Sequence, residues 1–241
     1  NNYKRPNLIQ TKSDQQRSSS EKLPSTVYHT TGDTLTHPRF SIMHGFFSLT
    51  ALKELAKKNN TTLNTYLTAL YAWCFYCEQL SKGDILKEIA IAVPVNLRPW
   101  FNSITTKNFF VMTFARFLPT KSDHTFEDVL NSVQQSLRKE ITKEKFESTL
   151  SWTVSNEKSL AKALVPLRLK NIGIKFVYKK AAKNTTSTAS NFGSLQIPEK
   201  YQKYISSFHG ILPKCSGQAI RAVFSSYQDV FCVTFSSVLE S

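Results

Sequence analysis

Glycine is scarce in this sequence, with 7 residues in 241, and none stands in a G-x-G-x-x-G, G-x-x-x-x-G-K-S/T or G-x-S-x-G arrangement. Those absences exclude a dinucleotide-binding turn, a P-loop and a hydrolase nucleophile elbow, which need glycine where the backbone turns sharply or approaches a phosphate. H-E-x-x-H is absent as well. The only cysteines are Cys74, Cys77, Cys215 and Cys232. They are too few and too irregularly spaced for a disulfide framework, so a reducing cytoplasm is the expected compartment. Cys74 and Cys77 form a C-x-x-C pair inside an apolar helical run. No second Cys or His pair is spaced to complete a four-ligand zinc site, and both are expected to be buried thiols. Long apolar runs are missing too. The most apolar window, Leu63 to Cys77, contains Asn64, Thr65 and Thr68 and falls short of the roughly 18–20 residues that span a bilayer. The chain opens at Asn1 with no charged-then-apolar leader, so its first residues read as an internal stretch of a longer polypeptide.

Acidic residues are also few: 17 Asp and Glu face 31 Lys and Arg, a formal net charge of +14. Such an excess raises nucleic acid, an anionic membrane or an anionic small molecule as partners. Its distribution narrows the choice. Lys158, Lys162, Arg168, Lys170, Lys175, Lys179, Lys180 and Lys183 follow one another with no acidic residue between them, interleaved with Leu160, Leu164, Leu167, Leu169, Ile172, Ile174, Phe176 and Val177. This basic amphipathic stretch reads either as a solvated helix face or as a surface for an acidic membrane or a phosphate-bearing ligand. Nucleic acid is disfavoured, since no aromatic-plus-basic binding motif or zinc finger accompanies it.

What is present suffices for a sizeable core: 41% of the residues are hydrophobic and 12% aromatic. Residues 1–36 lack periodicity and read as a linker or crossover loop, leaving residues 37–241 as the folded lobe. A strand is expected from Arg39 through Phe47. Ser48 then caps a short helix carrying Leu49, Leu52, Leu55 and Ala56. Thr62 caps a second helix from about Leu63 to Leu80, apolar on most sides and therefore buried. Glu88 to Val95 reads as a strand. Thr125-Phe126-Glu127-Asp128 is a capping-box pattern that opens a helix with Phe126, Val129, Leu130, Val133, Leu137 and Ile141 on one face. Two closing strands, Gln218 to Ser226 and Val230 to Val238, meet across Tyr227-Gln228-Asp229 as a hairpin.

Two blocks add a resemblance to this outline. Val93-Pro94-Val95-Asn96-Leu97-Arg98-Pro99-Trp100-Phe101, followed by Asn108-Phe109-Phe110, resembles the "PVNLRP…NFF" signature that begins the second half of condensation domains and alcohol acetyltransferases. Thr188-Ala189-Ser190-Asn191-Phe192-Gly193, followed by Pro198-Glu199-Lys200-Tyr201, is similar to the same family's "SNxG…P" strand and short helix. Both belong to the superfamily that includes chloramphenicol acetyltransferase, and the likeness runs from about Phe40 to about Ser237. It implies an α/β fold, one lobe of a chloramphenicol acetyltransferase-like architecture with a mixed, mostly antiparallel sheet and helices packed on it. It also implies transfer of an acyl group from acyl-CoA, or from a carrier thioester, to an alcohol or amine. Acyl-CoA would be a co-substrate, and no bound cofactor is expected.

The resemblance also shows a departure. Relatives carry a catalytic HHxxxDG in the first half, whereas His29, His37, His44, His124 and His209 are isolated here. The resemblance therefore implies an N-terminal lobe of the same protein, bearing the histidine, as partner, and this chain alone is expected to be inactive. A homodimer that rebuilds a two-lobed shell is the alternative assembly. The arginine of the family's motif pairs with the HHxxxDG aspartate, which places Arg98 in that role; the rival reading is an exposed loop arginine. Asn96 and Asn108 are expected to support the loop backbone. Ser190, Asn191 and Gly193 either line the substrate tunnel or make the turn after a strand, where Asn and Gly tolerate positive φ. His44, on the first strand, is expected to be a packed or hydrogen-bonded strand histidine.

Overall fold

The computed structural model describes residues 26–36, 40–157 and 166–240. Residues 1–25, with most of the expected linker, lie outside that set, as do Lys158 and Lys162 of the basic stretch. Among the described residues, six strands form one mixed sheet, β1 (Ser41–Ser48), β2 (Ile89–Asn96), β3 (Phe110–Phe117), β4 (Ser187–Ser194), β5 (Ile220–Tyr227) and β6 (Val230–Ser237), in the order β1-β6-β5-β4-β2-β3. The pairs β1–β6, β5–β6 and β2–β3 are antiparallel, and β2–β4 and β4–β5 are parallel. The helices are α1 (Leu49–Lys58), α2 (Leu63–Lys82), the single turn α3 (Arg98–Phe101), α4 (Phe126–Glu140), α5 (Lys143–Glu157), α6 (Leu167–Lys183) and the single turn α7 (Glu199–Gln202).

The helix starts are set by their caps. Ser48 Oγ accepts from the Ala51 N–H, and Thr62 Oγ1 accepts from the Thr65 N–H. At α4 the capping box is complete, with Thr125 and Asp128 each accepting from the other's backbone N–H. Such caps satisfy donors that a helix leaves open at its first turn. Gly83, at φ +65°, ends α2 in the left-handed region that glycine adopts without penalty.

One sheet face carries the core. Ile89, Ile91 and Val93 of β2, Ala189 of β4, Ala222 and Phe224 of β5, and Phe231 and Val233 of β6 meet Leu67, Tyr71, Phe75 and Tyr76 of α2 and Val129, Val133 and Leu137 of α4. Period-2 alternation in the strands sends the neighbouring residues to the opposite face. That second face is unusual in composition. Thr188, Ser190, Ser225, Thr234 and Ser236 are all buried on it, so hydroxyls share the sheet surface there with Ala90, Ala92, Val223 and Cys232.

Two expectations need correction. Cys74 and Cys77 are exposed. They share a stripe of α2 with Leu70, also exposed, and no element among the described residues covers that stripe, so within this set the helix is buried on only part of its circumference. In α6 it is not only the charged face that meets solvent: Leu167, Leu169, Ile172, Ile174, Phe176 and Val177 are all more than half exposed. The helix touches the body chiefly through its last turns, where Gly217 approaches Ala182 and the Tyr178 hydroxyl lies 2.9 Å from Cys215 Sγ. No helix among the described residues is long and apolar enough to cross a membrane.

Candidate functional site

A proline opens the sheet. The Ala90 N–H donates to Thr186 Oγ1 and its carbonyl accepts from the Thr186 N–H, so the backbone groups of Ala90 face β4. The Val93 carbonyl, by contrast, points to β3, where it accepts from the Thr113 side-chain hydroxyl. Alternation then turns the backbone of Ala92 and Pro94 toward β4. Pro94 has no N–H to donate, and the β2–β4 pairing stops at Ile91↔Ser187 and Ala92↔Thr188. Beyond that point both strands become exposed: Asn96 on one side, and Phe192, Gly193 and Ser194 on the other. The result is a gap at the carboxyl ends of two parallel strands, the place where open α/β sheets receive ligands.

Arg98 forms the first lip of this gap. Its Nε donates to the Thr105 carbonyl at 2.9 Å, its Nη2 to the Lys107 carbonyl at 2.6 Å, and its Nη1 to Asn96 Oδ1 at 3.1 Å. Asn96 Oδ1 also accepts the Arg98 backbone N–H. A guanidinium has five donors, so two remain without a bond among the described residues. Asn108 is exposed at the end of the same loop. Behind the loop, Leu97, Val111 and Phe146 make a small second core that holds it to α5.

The second lip is the end of β4. Asn191 Nδ2 donates to Asn64 Oδ1 at the start of α2, at 3.3 Å, while Asn191 Oδ1 accepts the Gly193 N–H at 2.8 Å. Gly193 adopts φ +72° and sits in a register shift between β4 and β5. Any side chain there would be strained, so the glycine serves the bend. Ser190 points to the hydroxyl-lined face, is 8% exposed and makes no side-chain hydrogen bond among the described residues.

No family model and no curated protein matches the chain. Solved structures do. A nonribosomal peptide synthetase with AMPPNP bound superposes with a TM-score of 0.54 at 13% identity, over 90% of this chain and 20% of that one. The trichothecene 15-O-acetyltransferase from Fusarium sporotrichioides gives 0.52 at 10% identity, over 87% of this chain and 45% of that one. The chain has a chloramphenicol acetyltransferase-like fold. It spans less than half of either structure, which corresponds to one lobe of that architecture.

Within this lobe none of the described histidines repeats an HHxxxDG arrangement. His29 lies between the carbonyls of Gly217 and Lys183, and His124 packs at the start of α4 beside Asp128. His37 lies outside the described residues. His44 is exposed on β1, with Nδ1 2.9 Å from Thr234 Oγ1. The fold also assembles groups that spacing along the chain does not reveal. His209, in the segment between α7 and β5, is brought onto the second sheet face beside His44 and Cys232, with the two imidazole centroids 4.4 Å apart. These residues are 165 and 23 positions apart along the chain in the pairs His44–His209 and His209–Cys232, so no local motif joins them. Deeper in, Tyr71 Oη lies 2.8 Å from Ser187 Oγ, and burial pushes this phenol above its ordinary range. It belongs to the core and stays protonated.

Proposed function

We propose that this chain is the C-terminal lobe of an acyltransferase that moves an acyl group from acyl-CoA, or from a carrier-bound thioester, to an alcohol or amine. The observation that carries the reading is the Pro94 gap, flanked by the two segments whose residues resemble the family's motifs: Asn96 to Asn108 on one lip, Ser190 to Gly193 on the other. Acyl transfer needs a base within reach of the acceptor hydroxyl and donors aimed at the developing oxyanion. The sequence holds no HHxxxDG. In this reading a facing lobe brings the histidine, and the gap forms one wall of the tunnel between them. Arg98 then spends its two remaining N–H donors on the aspartate of the histidine motif, a pairing suited to a planar guanidinium. Ser190 and the Asn191 amide would contact the acyl thioester. The exposed apolar side chains Met43 and Phe47 of β1 and Leu70 of α2 supply surface for the facing lobe.

Thiol release from acetyl-CoA in the presence of a simple alcohol tests this reading. The chain alone is expected to show no rate above background, and the chain combined with a lobe carrying HHxxxDG is expected to turn over. Turnover by the chain alone would overturn the two-lobe arrangement; no turnover with the second lobe bound would overturn acyl transfer.

A second reading rests on α6, where exposed Leu169, Ile172 and Phe176 stand among Arg168, Lys175 and Lys179. This is chemistry suited to an anionic membrane surface. Binding to vesicles containing phosphatidylserine, lost on raising salt, would support it.

A further inference from the structure

We propose that His44, His209 and Cys232 form a metal site of two imidazoles and one thiolate, suited to Zn2+, with the fourth coordination position open. One ligand atom from each residue lies within 4.8 Å of the others. The Cys232 Sγ to His209 Nδ1 distance is 4.0 Å. In a tetrahedral zinc site, bonds of about 2.0–2.1 Å to nitrogen and 2.3 Å to sulfur put the ligand atoms roughly 3.3–3.7 Å apart. Closing the cluster around an ion therefore needs only small side-chain rotations.

Three independent features of the fold converge on this point. The β1–β6 register sets His44 opposite Thr234, and alternation puts Cys232, two residues earlier, on the same face. The segment bearing His209 is then fastened to that face on both sides of the histidine. Ser225 Oγ donates to the Phe208 carbonyl at 3.1 Å, and Gly210 lies so close to the sheet that a Cβ there would stand 2.4 Å from Val223 Cγ1 and 2.7 Å from Phe192 Cε2. Finally, each histidine has an outer partner. Thr234 Oγ1 meets His44 Nδ1 at 2.9 Å, and Ser207 Oγ meets His209 Nε2 at 3.2 Å, leaving His209 Nδ1 on the Cys232 side. Hydroxyls in these positions orient ligating imidazoles and hold their tautomer.

The donor set chooses the metal. Two nitrogens and a sulfur, with no carboxylate in the cluster among the described residues, suit a borderline-soft ion and not Mg2+ or Ca2+. Phe46, whose ring centroid is 5.3 Å from that of His209, adds an apolar flank. Binding converts the Cys232 thiol to a zinc-bound thiolate and releases its proton to solvent, so affinity rises with pH. The ion would tie β1, β6 and the His209 segment together. Its open position would face the side on which His44 and His209 are exposed.

Cobalt substitution of the full, tag-free chain, kept reduced with a phosphine, reads the site directly. Titration with Co2+ is expected to produce a thiolate-to-cobalt charge-transfer band in the near-ultraviolet that saturates at one equivalent and is displaced by Zn2+. Cys232→Ser removes that band, whereas the Cys74→Ser, Cys77→Ser double variant retains it. His209→Ala, in an exposed position, weakens Co2+ by at least the 10–100-fold typical of losing even an outer partner. No band at excess Co2+, a band that survives Cys232→Ser, or one lost in the Cys74/Cys77 variant overturns the proposal. Should Cys232→Ser lack a native circular dichroism spectrum, an unchanged Co2+ titration in His209→Ala overturns it equally.

Discussion

Asp229 shows how much one side chain at a turn can organise. It sits in the β5–β6 hairpin, yet its carboxylate accepts from the backbone N–H and hydroxyl of Thr50 and from the hydroxyl of Ser48. These bonds, those from Thr50 foremost, hold its pKa below the usual carboxylate range. A depressed folded-state pKa contributes stability above the unfolded value of about 3.9, and that contribution is lost as pH falls through the lower folded value. Asp128, held down by the Thr125 backbone N–H, behaves in the same sense. We therefore expect Asp229→Asn to lower the melting temperature at neutral pH and to flatten its decline below about pH 4. An acid limb identical to that of the parent chain would contradict this role. Arg98 is bound to two carbonyls and an amide oxygen of its own loop, so Arg98→Ala should cost roughly 1–2 kcal/mol in denaturant unfolding. Lysine, a point donor without the planar fork, should recover little of it. Gly210→Ala brings a methyl against Val223 and Phe192 and should cost about 1–3 kcal/mol. It should weaken Co2+ binding at the same time, because His209 adjoins it.

At the level of elements, the decisive device is a missing donor in β2. Pro94 faces β4 where the next parallel rung would form, and the pairing ends there. Pro94→Ala restores an N–H. Hydrogen exchange should then show a protected amide at position 94 and slower exchange in the Ser190–Phe192 segment, with a stability change within about 1 kcal/mol, since one added bond is offset by a more flexible unfolded chain. Rapid exchange at that amide would mean that other contacts hold the strands apart. Helix α2 illustrates the converse. Its Leu70–Cys74–Cys77 stripe has no covering element among the described residues, although the residues are as apolar as those facing the core. Beside it, a pocket of about 370 Å3 is lined by Met43, Phe47, Leu67, Tyr71 and Phe235.

For the molecule as a whole, the uneven distribution of exposed apolar surface is the main finding. Among the described residues, Met43, Phe47 and Leu70 on one side and the apolar side chains of α6 on another stand exposed, and contiguous patches of this kind mark interaction surfaces. A facing lobe would account for the first group. With such a lobe supplied, Arg98→Ala should lower the acyl-transfer rate by more than its stability cost explains, and Ser190→Ala should act chiefly through KM if Ser190 only holds the thioester. An unchanged rate in Arg98→Ala would remove Arg98 from the site.

Much of this was legible in the amino-acid order. Caps at Ser48, Thr62 and Thr125, the apolar strand β2 and the β5–β6 hairpin are local patterns, and local patterns follow from backbone chemistry that neighbours along the chain control. The two motif blocks fall at the ends of β2 and β4, where Pro94 and Gly193 act through their own backbone, but that the pairing of these strands stops there is a matter of the sheet. Exposure was a different matter. Cys74 and Cys77 read as core thiols because periodicity reports that a face is apolar, not whether anything is packed against it. The His44–His209–Cys232 cluster was equally out of reach, since it depends on strand register and on a segment folded back across the sheet, and both are set by tertiary packing.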